Sequence, residues 1–154
     1  MPRLIKAGRI VEDDWQPINP DCDIPASNQI CSLEQWQGLV DKNGSAVQLE
    51  PGQEPAPLFK FVENIELVVI NFPVFTDGRG FSYARDVREH GYLGELRASG
   101  HFIRDQLAYL QRCGFDAFQM TDDSLLDAAL ASLGDFTEYY QAAIDQPLPL
   151  FRRR

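Results

Sequence analysis

The chain is poor in the residues that build metal centres and disulfide frameworks. It has three cysteines, Cys22, Cys31 and Cys113, and two histidines, His90 and His101, with no Cys-x-x-Cys pair. An odd, widely spaced set of this kind offers neither a tetrahedral ligand group nor a paired framework, so no metal is expected. Cys113 reads instead as a small buried hydrophobe in the last turn of a helix. A membrane span needs roughly 20 apolar residues. The longest apolar run here, residues 67–75, is far shorter and is broken by Asn71. Residues 1–15 put Glu12, Asp13 and Asp14 where a signal peptide would carry its apolar core. Cytoplasm is therefore the expected location. Cofactor signatures are missing too. Gly78-x-Gly80 is followed by Tyr83 where a dinucleotide fingerprint requires glycine, and no G-x-x-x-x-G-K-[ST], G-x-S-x-G or H-E-x-x-H occurs. No cofactor is expected.

What is present suits one folded domain. At 154 residues, a chain can bury about 70% of the surface its unfolded form exposes. Hydrophobic residues at 44% and charged residues at 24% match a globular protein rather than a disordered or repetitive one. The net charge of −9 repels a phosphate backbone and disfavours general nucleic-acid binding. The cations are lopsided, eleven Arg to three Lys, and Arg grips planar anions with two parallel hydrogen bonds. Six of those Arg lie within residues 71–114 against five acids, so the one stretch that is not acidic falls in the middle of the chain.

The pattern predicts a single α/β domain over 1–154, with an N-terminal hairpin and small mixed extension (1–62), a parallel βαβαβα core (63–146) and a frayed tail (147–154). The opening Arg3-Leu-Ile-Lys-Ala-Gly-Arg-Ile-Val-Glu reads as two strands around an Ala7-Gly8 turn. Residues 16–28 read as a loop. Ser32 with Gln35 forms a capping box for a helix to about residue 41. In the second half, strands are expected near 65–75, 92–98 and 115–120, with helices near 81–89 and 101–113, another after Thr121-Asp-Asp-Ser, and a last one near 135–144. That alternation implies a parallel sheet with right-handed crossovers. Whether the N-terminal strands extend it or cap it is not readable from the pattern.

Ligands of open parallel sheets bind beyond the carboxyl ends of the strands. In this reading Asp77, Gly78, Arg79, Gly80 and Ser82 follow the first core strand. Arg97, Ser99 and His101 follow the second, and Thr121 and Asp122 the third. Helix N-terminal N–H groups together with Arg make an anion site, so Gly78, Arg79, Gly80, Ser82 and Arg97 are expected to hold an oxyanion or phosphate group. Asp77 and His101 are candidate proton carriers. The structural readings stand beside these. Asp77-Gly-Arg-Gly suits a turn and cap as well as a binding loop, Arg97 and Asp105 suit an ion pair, and Arg85 and Arg88 suit a solvated helix face.

The segments Phe72-Pro-Val-Phe-Thr-Asp-Gly-Arg-Gly-Phe-Ser-Tyr-Ala-Arg, Gly94-Glu-Leu-Arg-Ala-Ser-Gly and Arg112-Cys-Gly-Phe-Asp-Ala-Phe resemble those of an uncharacterised bacterial family, domain of unknown function 934. Members of that family carry an oxidoreductase label, attached through gene neighbourhood with assimilatory sulfite reductase. The resemblance implies an accessory protein of sulfur assimilation, and it adds Arg104 and Asp105 to the residues that match the family pattern. The expected function is an accessory factor of sulfite reduction that binds a small oxyanion or docks on the reductase. The alternatives are a small enzyme for a phosphorylated or sulfonated metabolite and a pure adaptor, with homo-oligomers possible.

Overall fold

The computed structural model describes residues 3–18, 21, 28–74, 78–102 and 104–133, without the side chains of Arg104 and Asp123. Asp77, Cys22, the helix expected near 135–144 and the tail 147–154 lie outside the described residues. The fold is α/β, built on one mixed sheet of eight strands. These are β1 (Arg3–Lys6), β2 (Arg9–Glu12), β3 (Gln16–Pro17), β4 (Gln29–Ser32), β5 (Ser45–Leu49), β6 (Ile65–Phe72), β7 (Glu95–Gly100) and β8 (Ala117–Met120).

The strand order is β2-β1-β8-β7-β6-β5-β4-β3. From β3 to β8 every strand lies parallel to its predecessor in the chain. The parallel core is thus not confined to the C-terminal half. The presumed mixed extension supplies β3, β4 and β5 to the same sheet, and β3 arises where a loop was expected. The hairpin forms as predicted, with Ala7 and Gly8 at φ 52 and 77, the left-handed pair that a two-residue turn demands. It joins antiparallel, β1 against β8.

A parallel sheet wound in one direction with right-handed crossovers carries all its helices on one face. These are α1 (Leu33–Gln37), α2 (Arg79–Glu89), α3 (Leu107–Cys113) and α4 (Leu126–Leu133). Val47, Leu49, Val68, Ile70, Leu96, Ala98 and Phe118 point to that face and share one core with Trp36, Val87, Leu107, Leu110, Cys113 and Leu126. The alternate residues Ala46, Leu67 and Val69 form a separate cluster on the opposite face, under Trp15 and Ile30.

That opposite face is concave. Only Asp13, Asp14 and Trp15 join β2 to β3, which stand at opposite ends of the strand order. Seven strand spacings would separate those ends by about 34 Å if the sheet were flat, and the linker reaches about 14 Å at most. The sheet therefore curls, helices outside, and the linker crosses its inner face.

Local chemistry explains the boundaries. Ser32 Oγ accepts from Gln35 N and Ser32 N donates to Gln35 Oε1, the expected capping box, but α1 ends at Gln37 rather than near 41. β7 begins at Glu95, not residue 92, because the Arg88 guanidinium takes the carbonyls of Tyr92 and Gly94 out of sheet pairing. α3 begins at Leu107, not 101. Gly100, at φ 108, turns the chain across the end of β6, where His101 N donates to Phe72 O at 2.7 Å, and a 3-10 turn over Arg104–Gln106 precedes the helix.

Candidate functional site at the carboxyl mouth

The parallel strands bring the sequence-predicted groups to one edge of the sheet but do not gather them in one place. At the start of α2, Gly78 is the N-cap and makes no side-chain capping bond. Arg79 and Ser82 are exposed in the first turn. The Arg79 guanidinium comes within 3.5 Å of where a Cβ on Gly52 would stand, so it lies over the turn that follows β5. Tyr83 OH accepts from Gly52 N at 3.0 Å and ties that turn to α2. Gly80 has a different task. It is buried, and a Cβ there would meet the Phe72 ring at 2.6 Å, so it permits close helix-to-strand packing rather than contact with an anion.

A second group gathers one strand further on. Gly100, His101, Phe102, Met120, Thr121, Asp122 and Leu125 line a cavity of about 330 Å3. Thr121 Oγ1 donates to Gly100 O at 2.9 Å, which braces the residue before His101. Asp122 accepts from both the hydroxyl and the N–H of Ser124. These bonds, the hydroxyl's first, hold its carboxyl below the usual carboxylate range.

Arg97 does not reach the rim. It is 1% exposed on the inner face, and its guanidinium donates to Asp13 at 3.0 and 3.1 Å and to Glu95 at 2.9 and 3.1 Å. Lys6 reaches Glu95 at 3.0 Å. The partner considered for Arg97, Asp105, lies instead exposed in the 3-10 turn before α3, with Arg104 beginning that turn. Arg88 is no solvated surface residue either. It donates from Nε to Gly114 O and from one terminal nitrogen to two carbonyls, and it lies 3.6 Å from Asp116.

Sequence reasoning named Ser99 but missed the inner polar row to which it belongs. Asn71, Ser99 and Gln119 stand in register on β6, β7 and β8. Asn71 Nδ2 donates to Glu50 Oε2, and Gln48 Nε2 to Glu50 Oε1, each at 2.7 Å. The signal was the polar break that Asn71 makes in an otherwise apolar run. Ser32, Glu34, Gln35, Gln48, Glu50 and Gln53 line a cavity of about 410 Å3 at the carboxyl ends of β4 and β5, beside the start of α1. Among the described residues, no group of three His, Cys, Asp or Glu could hold a metal ion, and no helix is long and apolar enough to cross a membrane.

A mixed eight-stranded sheet with its helices on one face defines the class: an α/β protein. The sequence profile of the bacterial proteins of unknown function DUF934 matches residues 46–151, and the chain belongs to that family. A comparison with curated proteins finds no match.

Proposed function

We propose that the protein is a non-redox accessory factor that holds a small oxyanion at the start of α2, and that sulfite is the first ligand to test. One observation carries the reading. α2 is eleven residues long, opens at the carboxyl mouth with a glycine cap that supplies no side-chain acceptor, and has Arg79 as its first residue. A helix N-terminus favours negative charge by roughly 0.3–1 kcal/mol, and a guanidinium beside it adds two-pronged donation. The choice of sulfite, and of sulfite reductase as partner, rests on the resemblance to the family's sulfur-assimilation label alone.

Titration calorimetry with sulfite and inorganic phosphate at low ionic strength tests the anion site. Arg79→Ala should weaken binding at least tenfold and leave the melting temperature of this exposed position nearly unchanged. Equal loss of binding and stability would mean a structural arginine. Capture of sulfite reductase by the immobilised protein tests the docking part. A second reading, a small enzyme acting on a phosphorylated or sulfonated metabolite, is favoured by the cavity that His101 shares with Asp122, because an imidazole beside a carboxylate can carry a proton.

A further inference from the structure

We infer that the inner face of the curled sheet, at its carboxyl mouth, binds the hydroxyl-bearing body of a ligand whose anionic group sits at Arg79, so that the ligand class is a phosphorylated or sulfated polyhydroxylated molecule. The inference rests on the anion reading above and adds a second half to that site.

The inner face opens along the strands from buried to partly exposed. Its deeper row, Ala46, Leu67 and Glu95, is apolar on β5 and β6 and carries on β7 a carboxylate engaged by Arg97 and Lys6. The next aligns Gln48, Val69, Arg97 and Ala117, where Arg97 is saturated by Asp13 and Glu95. The row at the mouth is Glu50, Asn71, Ser99 and Gln119, all partly exposed, with Gln48 beside them. Interiors of curled parallel sheets are filled by side chains that interlock and exclude water. A row that turns wholly polar where the sheet opens is spent differently.

The chemistry of that row selects its guest. Carboxamides and a hydroxyl offer donors and acceptors together, and the Glu50 carboxylate, fixed by two amide donors at 2.7 Å, keeps acceptor positions free. Vicinal hydroxyls answer such a set by donating to the carboxylate and accepting from the amides. A second anion would be repelled by Glu50. A cavity of about 410 Å3 at the β5 end of this row, lined by Gln48 and Glu50 together with Ser32, Glu34 and Gln35 at the start of α1, falls in the range of small-molecule pockets. Glu50 is two residues from Gly52, over which the Arg79 guanidinium lies, so the anion site and the polar row border the same turn.

Calorimetry with ribose 5-phosphate and glucose 6-phosphate, set against inorganic phosphate, ribose and glucose, separates the two halves. A sugar phosphate should bind at least tenfold more tightly than inorganic phosphate. Glu50→Gln and, independently, Ser99→Ala should remove the advantage of the sugar phosphate over inorganic phosphate, Ser99→Ala with phosphate binding and the melting temperature in place, Glu50→Gln with phosphate bound no more weakly than by the wild type. Sugar phosphates that bind no better than phosphate, or that ignore both substitutions, overturn the inner-row inference and leave the anion site standing. Loss of phosphate binding alone, with free sugars still bound and still sensitive to Glu50→Gln, overturns the anion site and supports the row. No binding by any of the five probes overturns both.

Discussion

A Cβ placed on Gly80 would stand 2.6 Å from two ring atoms of Phe72 and 3.0 Å from a methyl of Ile70. The ring has little room to retreat, because Phe81, Phe102 and Phe115 surround it with centroids 5.5 to 6.3 Å away. Alanine in a helix gains about 1 kcal/mol over glycine, but overpacking a filled core costs about 1–3 kcal/mol. Gly80→Ala should therefore lower the urea midpoint despite its better helix propensity, and Phe72→Leu in the same chain should recover much of the loss. Additive losses in the double variant would rule out the contact as the cause. At this scale the sequence was informative about residue type and misleading about duty. A Gly-x-Gly before a helix reads the same whether its second glycine faces a ligand or a strand. Arg79 opens a helix at the sheet edge, whereas Arg97 lies within β7 and points to the inner face, and which face a strand residue takes depends on register.

The joint between α2 and the amino ends of β7 and β8 is built from Arg88 and Asp116. Arg88 gathers three carbonyls, and Asp116 accepts from Leu96 N at 2.8 Å. Burial, the largest influence, raises the Asp116 carboxyl above its ordinary 3.8 despite that N–H and the nearby guanidinium. A carboxyl raised in the folded state contributes stability that is fully present below 3.8 and is lost as pH climbs through the raised value. Asp116→Asn stays neutral throughout and keeps an acceptor for Leu96. It should equal the wild type in acid and match or exceed it at pH 7, by less than about 1 kcal/mol because the side chain is 51% exposed and solvent screens it. Paired urea titrations at pH 3.5 and 7 check the sign, and a wild type that loses ground to the variant on acidification would contradict it. Elements were largely legible where local chemistry fixes them, as in the Ala7-Gly8 turn and the Ser32 box. They were displaced where a distant side chain intervenes, as Arg88 does at the start of β7.

The curl of the sheet depends on contacts that no local pattern announces. β3, at two residues, is too short to carry a periodicity, and the pairing of β4 and β5 into the same sheet joins segments that look like a separate extension. For the same reason the inner polar row was illegible. Glu50 and Asn71 become neighbours only once β5 lies beside β6. What draws the two ends of the strand order together is the linker, whose Asp13 is 4% exposed and bonded to Arg97 on β7. Removing one member of a buried ion pair costs about 3–5 kcal/mol because the opposing charge is left unsolvated. Arg97→Met takes the cation from Asp13 and leaves Glu95 with Lys6 alone, so it should lower the unfolding free energy read from a urea titration by that amount. Replacing the whole group, Asp13→Asn with Glu95→Gln and Arg97→Met, should recover most of the loss, because Lys6 is half exposed and can return to water. If the triple variant were as unstable as the single one, the ions themselves would be holding the curl closed. If instead Arg97→Met were harmless, the linker would be secured by Trp15 and its apolar cluster, and the charges would be passengers on the inner face.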